Sequence, residues 1–598
     1  MLLPRLSTRY AIVFGLVFLA AYTITIHYNR GPRFPHHLHW LDNDSTEQEV
    51  ARIPPERNWA DRARKVRNAF VFAFDNYMKH AAPHDELRPM SNRSTDMFNG
   101  WGVTAVDAID TMLFMKLDKH YEQALEIVSK LNFKPTLNTH SPSELMLNTN
   151  VNFFETVIRY MGGLLSAYAL TNETIFLDKA DELATALAPA FDTPTGLPVN
   201  SVNLVKGIPN FSKHIASIAE VGSCQVEYAY LAHVTGKKEH YDKASNVVNR
   251  LYNVNISSLG MLPTHIDLRT GEASDSERAL GGGADSAHEY LLKYYLLSAK
   301  NDTKSLELYL QTVDYIITNL LYLSPTRSLL YVTDISGPHN IPSHKLEHLS
   351  CFLPGLLALG VHTLPESAFT KKRNSTLPHY DKLHNFDLRD LHMWAATGLA
   401  ETCWLLYADG VNGLGTEQVG FVVPPPKDRD HPKEWWLRAT GNPWIEAMDT
   451  WRETGQQGIP PGVGEKEPVR NTSILARDYT IRRPEYILRP EVVESVYFMW
   501  RVTNEERWRD RGWAMFEAME KHTKVESGYS ALWDATSTPP RPRDEMQSFF
   551  LAETLKYLYL MFLDEDPISL DKWVFNTEAH PLPIFSWDHE QRAKFHTW

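Results

Sequence analysis

Cysteine is scarce in this chain, with three in 598 residues, at positions 224, 351 and 403. That excludes a disulfide scaffold and leaves one bridge and a spare thiol. Positive charge is also short: the formal net charge is -13, which argues against nucleic acid as a partner. Strand alternation is sparse beyond residue 60, where helical patterns dominate. What is present is ordinary globular composition, 43% hydrophobic and 22% charged, enough for a large core. The length suits several average domains or one large repetitive domain.

The N-terminal residues read as a targeting element. Arg5 and Arg9 precede Tyr10–Ile26, an uncharged run at the short end of a membrane span. The preceding arginines favour a cytoplasmic N-terminus and a lumenal remainder. A cleaved signal peptide is the alternative, with Ala20-Ala21 near the cleavage site, but the apolar run is long for a signal core. The expected layout is a cytoplasmic tail over 1–9, a transmembrane signal-anchor over 10–26, a lumenal stem over 27–60 and one large lumenal domain over 61–598. Eight Asn-x-Ser/Thr sequons, at Asn43, Asn92, Asn172, Asn210, Asn255, Asn301, Asn374 and Asn471, fit a secretory-pathway protein.

Beyond the stem, single polar residues recur inside apolar helical segments. Glu155, Glu220, Asp285 and His348 are separated by 65, 65 and 63 residues, and Glu491 and Glu553 by 62. Such a period holds two helices and their loops. A closed ring of hairpins would aim these residues at one cavity, and an open solenoid would spread them along a concave face. The period alone allows both. Residues 549–562 are apolar nearly all round, as in a core helix. The proline-rich stretch 420–470 reads as an irregular insertion, and 536–543 as a second proline-rich loop.

Four stretches concentrate chemistry. In Leu488-Arg489-Pro490-Glu491-Val492-Val493-Glu494-Ser495, Pro490 suits the first position of a helix and Glu491 its first turn. Glu494 follows at i+3, so two carboxylates and an arginine enter one end of a buried helix; an ordinary ion-paired helix start is the bland reading. Glu155 and Arg159 lie one turn apart among apolar residues, as a structural ion pair or as part of a site. Gly162-Gly163 inside that helix calls for close packing. Asp285 or Ser286 suits a helix cap or a catalytic role equally. Finally, Thr577 offers a hydroxyl and a carbonyl beside Glu578 in 575–582; these oxygens suit a hard cation such as Ca2+, or a plain turn.

These stretches, together with Gly100-Trp101-Gly102-Val103-Thr104, Asp107-Ala108-Ile109-Asp110-Thr111, His348-Leu349 before Cys351-Phe352-Leu353-Pro354-Gly355, and Ser548–Tyr557, resemble the class I α-1,2-mannosidases of glycoside hydrolase family 47. The resemblance runs from about residue 60 to 585. It implies an all-α (αα)7 barrel, which selects the ring over the solenoid. It implies an inverting, Ca2+-dependent exo-glycosidase that removes terminal α-1,2-linked mannose from high-mannose N-glycans on glycoproteins, in the Golgi or endoplasmic reticulum. No obligate protein partner is expected.

Carried onto matching positions, the resemblance makes Glu155 the general acid and Glu491 the general base, with Asp285 in the water and proton network. Thr577 would supply both its oxygens to Ca2+. Arg159, Glu220, His348, Arg489, Glu494, Phe549, Glu553 and Glu578 would line the pocket or hold metal-bound waters. Cys351 and Cys403 match the family's paired cysteines and are expected to form a disulfide. A branch of lectin-like quality-control factors generally lacks that pair and is the rival reading. Gly283 stands where family members that remove one particular mannose carry arginine, which implies room for more glycan branches and broader trimming, from nine mannoses towards five.

Overall fold

The computed structural model describes residues 58–133, 150–254, 260–337, 339–370, 380–423, 441–470 and 473–597. The expected tail, anchor and most of the stem lie outside the described residues, as do Asn43, Asn255, Asn374 and Asn471. Asn58–Trp598 forms one compact unit. Among the described residues, no helix is long and apolar enough to cross a membrane.

Two kinds of helix alternate along this unit. The first is amphipathic. In Lys238–Asn253, the buried residues are His240, Ala244, Val247, Val248 and Leu251, one stripe at helical spacing. The second is buried all round: every residue of Asp285–Leu297 after Asp285 itself is buried, Glu289 and Lys293 included as an ion pair. A helix buried on all sides must lie inside the other kind, and the packing follows from that. Trp59–His80, Asp118–Lys130, Thr174–Ala186, Lys238–Asn253, Thr303–Tyr315, Leu388–Ala408 and Glu506–His522 form an outer layer. They pack on inner segments at Leu555–Met561, Ile109–Phe114, Gly162–Thr171, Gln225–Thr235, Asp285–Leu297, Leu353–Thr363 and Glu491–Thr503 respectively.

The inner segments close on themselves. Ile109–Phe114 touches Gly162–Thr171, and the contacts continue in chain order round to Leu555–Met561, whose π-helical lead-in Phe550–Thr554 touches Ile109–Phe114 again. Among the described residues this is a barrel of seven helical pairs rather than an open solenoid. The recurring polar residues sit at or near the N-terminal ends of the inner segments, so the period of 62–65 residues is one hairpin.

Among the described residues, sheet is confined to small antiparallel sheets of two or three short strands in the connections, most of them hairpins; one joins Lys345–Glu347, Gln418–Phe421 and Tyr479–Arg483. Two sequence expectations need correction here. The 420–470 stretch is not wholly irregular: Trp444–Glu453 is a helix, with Trp444, Ile445 and Met448 buried, and its proline-rich flanks hid that periodicity. Within 536–543, Arg541–Arg543 is a strand paired antiparallel with Ala531–Asp534, an edge position that tolerates Pro542.

One hairpin matters more than the others. Trp573–Phe575 and Pro581–Pro583 pair antiparallel and pack against Asp285–Leu297 and Gly162–Thr171, so the loop 576–580 rises inside the ring. Gly162-Gly163 makes room for it. A Cβ on Gly162 would lie 2.5 Å from Asn576 Nδ2 and 2.9 Å from the His580 ring, and one on Gly163 would lie 2.9 Å from the Val106 carbonyl oxygen. The close packing expected of this pair is what the fold uses.

Candidate active site

A cavity of about 370 Å³ opens at the N-terminal ends of the inner segments. Its wall includes Glu155, Arg159, Glu220, Asp285, Arg489, Glu491, Phe549, Glu553, Thr577 and Glu578, so residues up to 423 positions apart meet there. Helix N-termini carry partial positive charge, which offsets part of the cost of gathering so many carboxylates.

Local structure aims each of them. Asn152 caps the segment that carries Glu155, accepting from the Glu155 amide at 2.9 Å. The helix then widens into a π turn over Thr156–Met161, a form often found at functional sites. That turn presents Arg159 back to Glu155, Nε to Oε2 at 2.8 Å, while Nη1 reaches Glu578 Oε2 at 2.8 Å. A second π turn, Phe550–Thr554, carries Glu553. Glu220 completes a capping box with Ser217, accepting from its amide at 3.1 Å. Asp285 is not a cap: the cap position is Ala284, and Asp285 is the first helical residue, its Oδ1 accepting from the Ser286 amide at 2.9 Å. Pro490 likewise sits one position earlier than expected, at the cap of Glu491–Thr503.

The carboxyls of the cavity differ electrically. Burial pushes the Glu491 carboxyl up, but the hydrogen bond from His348 and the charge of Arg489 outweigh it and hold the group below its ordinary value. His348 Nδ1 lies 2.8 Å from Glu491 Oε2, and Arg489 Nη1 3.7 Å from Oε1. Arg489 is itself aimed by Glu417, Nε to both carboxylate oxygens at 3.0 and 2.9 Å. By contrast, burial and the nearby Glu491 and Glu289 charges push Asp285 up to about 7, against an opposing bond from the Ser286 amide. Burial also pushes Glu553 and Glu578 up: at Glu553 the Glu578 charge adds to it, and at Glu578 the Asp107 and Glu155 charges add to it against the Arg159 charge and a bond from Glu553. Phe549 lies between two guanidinium groups, those of Arg159 and Arg489, at 5.7 and 6.0 Å from its ring centre.

His348 and Glu494 are not on the cavity wall. His348 is buried behind Glu491, and Glu494 is one turn below it, accepting from Tyr557 at 3.3 Å and lying 3.9 Å from Lys293. Burial pushes Glu494 up to about 8 against the Lys293 charge. Both residues therefore support the wall. Cys351 and Cys403 are joined, tying the start of one inner segment to an outer helix, and Cys224 is a buried free thiol.

Thr577 stands on the floor. Its amide donates to Tyr290 at 3.3 Å, but neither its hydroxyl nor its carbonyl oxygen has a hydrogen-bond partner among the described residues. Two unpartnered neutral oxygens facing a carboxylate-lined cavity fit a hard cation. The loop that holds them is fixed by groups the sequence did not reveal. Asn576 donates to the Ile158 carbonyl at 2.9 Å and to Glu227 at 2.8 Å, and accepts from the amides of Glu578 and His580, both at 2.9 Å. His580 bridges Asp107 and Asp110 at 3.2 and 2.8 Å, and Lys556 reaches Asp110 at 2.8 Å and the Ala579 carbonyl at 2.6 Å.

The sequence model of the family described as glycosyl hydrolase family 47 matches residues 69–584. The chain belongs to this family. It is therefore a glycoside hydrolase by descent, and the barrel agrees. It is 35% identical over 551 residues to an endoplasmic reticulum mannosyl-oligosaccharide 1,2-alpha-mannosidase of Homo sapiens, covering 89% of this chain and 66% of that protein. The chain thus spans about two-thirds of the human relative. A mannosyl-oligosaccharide 1,2-alpha-mannosidase of Arabidopsis thaliana is 35% identical over 552 residues, covering 88% and 80% respectively. Among solved structures, an alpha-1,2-mannosidase from Trichoderma reesei superimposes with a TM-score of 0.71 at 28% identity, covering 88% of this chain and 99% of that one.

Proposed function

We propose that this family 47 hydrolase is an inverting exo-α-1,2-mannosidase that trims terminal α-1,2-linked mannose from high-mannose N-glycans during glycoprotein maturation. The observation that carries the reading is one cavity holding a carboxylate kept ionised, Glu491, and a carboxyl able to hold a proton near neutral pH, Asp285. Inversion needs an acid on the leaving oxygen and a base that activates water on the opposite face of the sugar. Glu491 takes the water proton, because His348 and Arg489 stabilise its charged form. Glu155 delivers a proton to the leaving oxygen, and Asp285 stores one in the same network. Arg159, bonded to both Glu155 and Glu578, holds the acid side in register. Phe549 offers a ring face to the sugar beside the two guanidinium groups.

Thr577 would hold Ca2+ through its hydroxyl and carbonyl oxygens, with Glu220, Glu553 and Glu578 as acceptors for bound water. When bound, the ion supplies a template for sugar hydroxyls and neutralises part of the acidic cavity. The disulfide and the complete set of carboxylates favour this enzyme over a lectin-like quality-control factor.

The N-terminal apolar run supports a single-pass type II anchor with a lumenal domain in the Golgi or endoplasmic reticulum. Of the sequons among the described residues, Asn92, Asn172 and Asn301 are exposed and Asn210 is half-buried. The test is proton NMR of the first sugar released from an α-1,2-mannobiose. β-Mannose appearing first supports the mechanism, and α-mannose appearing first contradicts it.

A further inference from the structure

Both ring nitrogens of His348 are engaged. Nδ1 meets Glu491 Oε2 and Nε2 meets the Tyr407 hydroxyl, each at 2.8 Å. An ionised Glu491 has no proton to give, so Nδ1 must carry the one they share. In the neutral imidazole, Nε2 is then a lone pair, and only a donor can satisfy it. Tyr407 is that donor. It sits on the outer helix Leu388–Ala408, whereas His348 precedes the inner segment Leu349–Phe352 and Glu491 opens the next inner helix.

The placement of Tyr407 is fixed more than once. The Cys351–Cys403 bridge joins the same two elements, three residues after His348 and four before Tyr407. The backbone at Gly415 lies against the tyrosine ring so closely that a Cβ there would be 2.4 Å from its edge. Tyr486 packs on the ring at 6.1 Å, nearly perpendicular. The hydroxyl is buried and its ring cannot swing away.

We propose that Tyr407 is a positioning residue for the base, donating to His348 Nε2 and so fixing the Nδ1–H tautomer that grips Glu491. The inference rests on the reading of Glu491 as the base. Glu491 is faced also by Arg489, Asp285, Glu494 and Glu553, and Tyr407 by Glu417 and Tyr486. Removing the Tyr407 hydroxyl leaves the groups around Glu491 in place and also takes a hydroxyl partner from Tyr486.

Tyr407→Phe keeps the ring and its packing against Gly415. We expect kcat to fall about tenfold with KM within about twofold, since general-base efficiency is what changes. The acid limb of kcat/KM should move up by about half a pH unit or more, because a loosened His348 bond no longer favours the carboxylate. Tyr309→Phe removes another fully buried hydroxyl, on the outer helix Thr303–Tyr315, and should move neither quantity.

Spectra of the full chain labelled with 15N-histidine, with His348 assigned by its loss in His348→Asn, supply a readout independent of turnover. Wild type should show a proton on Nδ1 alone, and Tyr407→Phe a shifted Nε2 resonance, because that nitrogen loses its donor. An unshifted acid limb in Tyr407→Phe, or a wild-type proton on Nε2 alone, overturns the proposal. Release of α-mannose by the wild type would instead overturn the base assignment, and the spectra separate the two failures.

Discussion

Gly162→Ala is the smallest change that should reach Thr577. Its added methyl would sit 2.5 Å from Asn576 Nδ2 and 2.9 Å from His580, both buried side chains with little freedom to retreat. Overpacking of this kind costs about 1–3 kcal/mol. If Asn576 shifts, its bonds to Glu227 and to the Ile158 carbonyl weaken, and an unsatisfied buried partner costs a further 1–3 kcal/mol or so. Better helix propensity returns up to about 1 kcal/mol. The net expectation is a loss of about 1–5 kcal/mol. Because Asn576 and His580 bracket Thr577, part of that loss should appear in the proposed Ca2+ site. Calcium titration followed by isothermal calorimetry should show affinity weakened at least about tenfold, equivalent to about 1.4 kcal/mol. Gly464→Ala, whose methyl would meet Ile459 at an ordinary 3.5 Å, serves as the control. Unchanged calcium affinity in Gly162→Ala, with the fold intact, would refute the link from the glycine pair through the hairpin to Thr577.

Other outcomes follow from the same geometry. Glu491→Gln should lower kcat by about 10²–10⁴ with little change in KM, measured by release of free mannose. The pH profile of kcat/KM should be bell-shaped. Its acid limb should lie below the ordinary glutamate range because Glu491 is held low, and its alkaline limb near 7 because Asp285 must keep its proton. Gly283→Arg should narrow the set of mannoses released, but the backbone there has φ +89°, so any side chain adds strain. Gly283→Ala separates strain from the cation: glycan mapping should show narrowing in the arginine variant alone. Replacing Cys351 and Cys403 by alanine opens a loop of 52 residues and should cost about 2–4 kcal/mol in urea unfolding.

Much of this site can be read in the chain before folding. The period of 62–65 residues survives because these inner segments begin at the same end of the barrel, so Glu155, Glu220, Asp285, Glu491 and Glu553 mark the cavity, with His348 buried behind it. The glycine pair announces itself because glycines rarely sit inside apolar helices. The cluster of Asp107, Asp110, Lys556 and His580 is different. Ring closure brings together residues up to 473 positions apart, and no local pattern foretells that a buried lysine and histidine will find two aspartates. Glu417 is hidden for the same reason, because it meets Arg489 only when a strand at Gln418–Phe421 lays it beside the next inner helix. Asp285 shows the limit of local rules: sequence offers it as a cap, but the turn before it places Ala284 there and sends the carboxylate into the cavity.

The most direct test is a time course on a nine-mannose N-glycan, read by mass and linkage analysis, with and without a calcium chelator. Successive loss of α-1,2-mannoses, abolished by chelation and restored by added Ca2+, is the predicted result. A folded protein that binds the glycan yet releases no mannose in the presence of Ca2+ would contradict it.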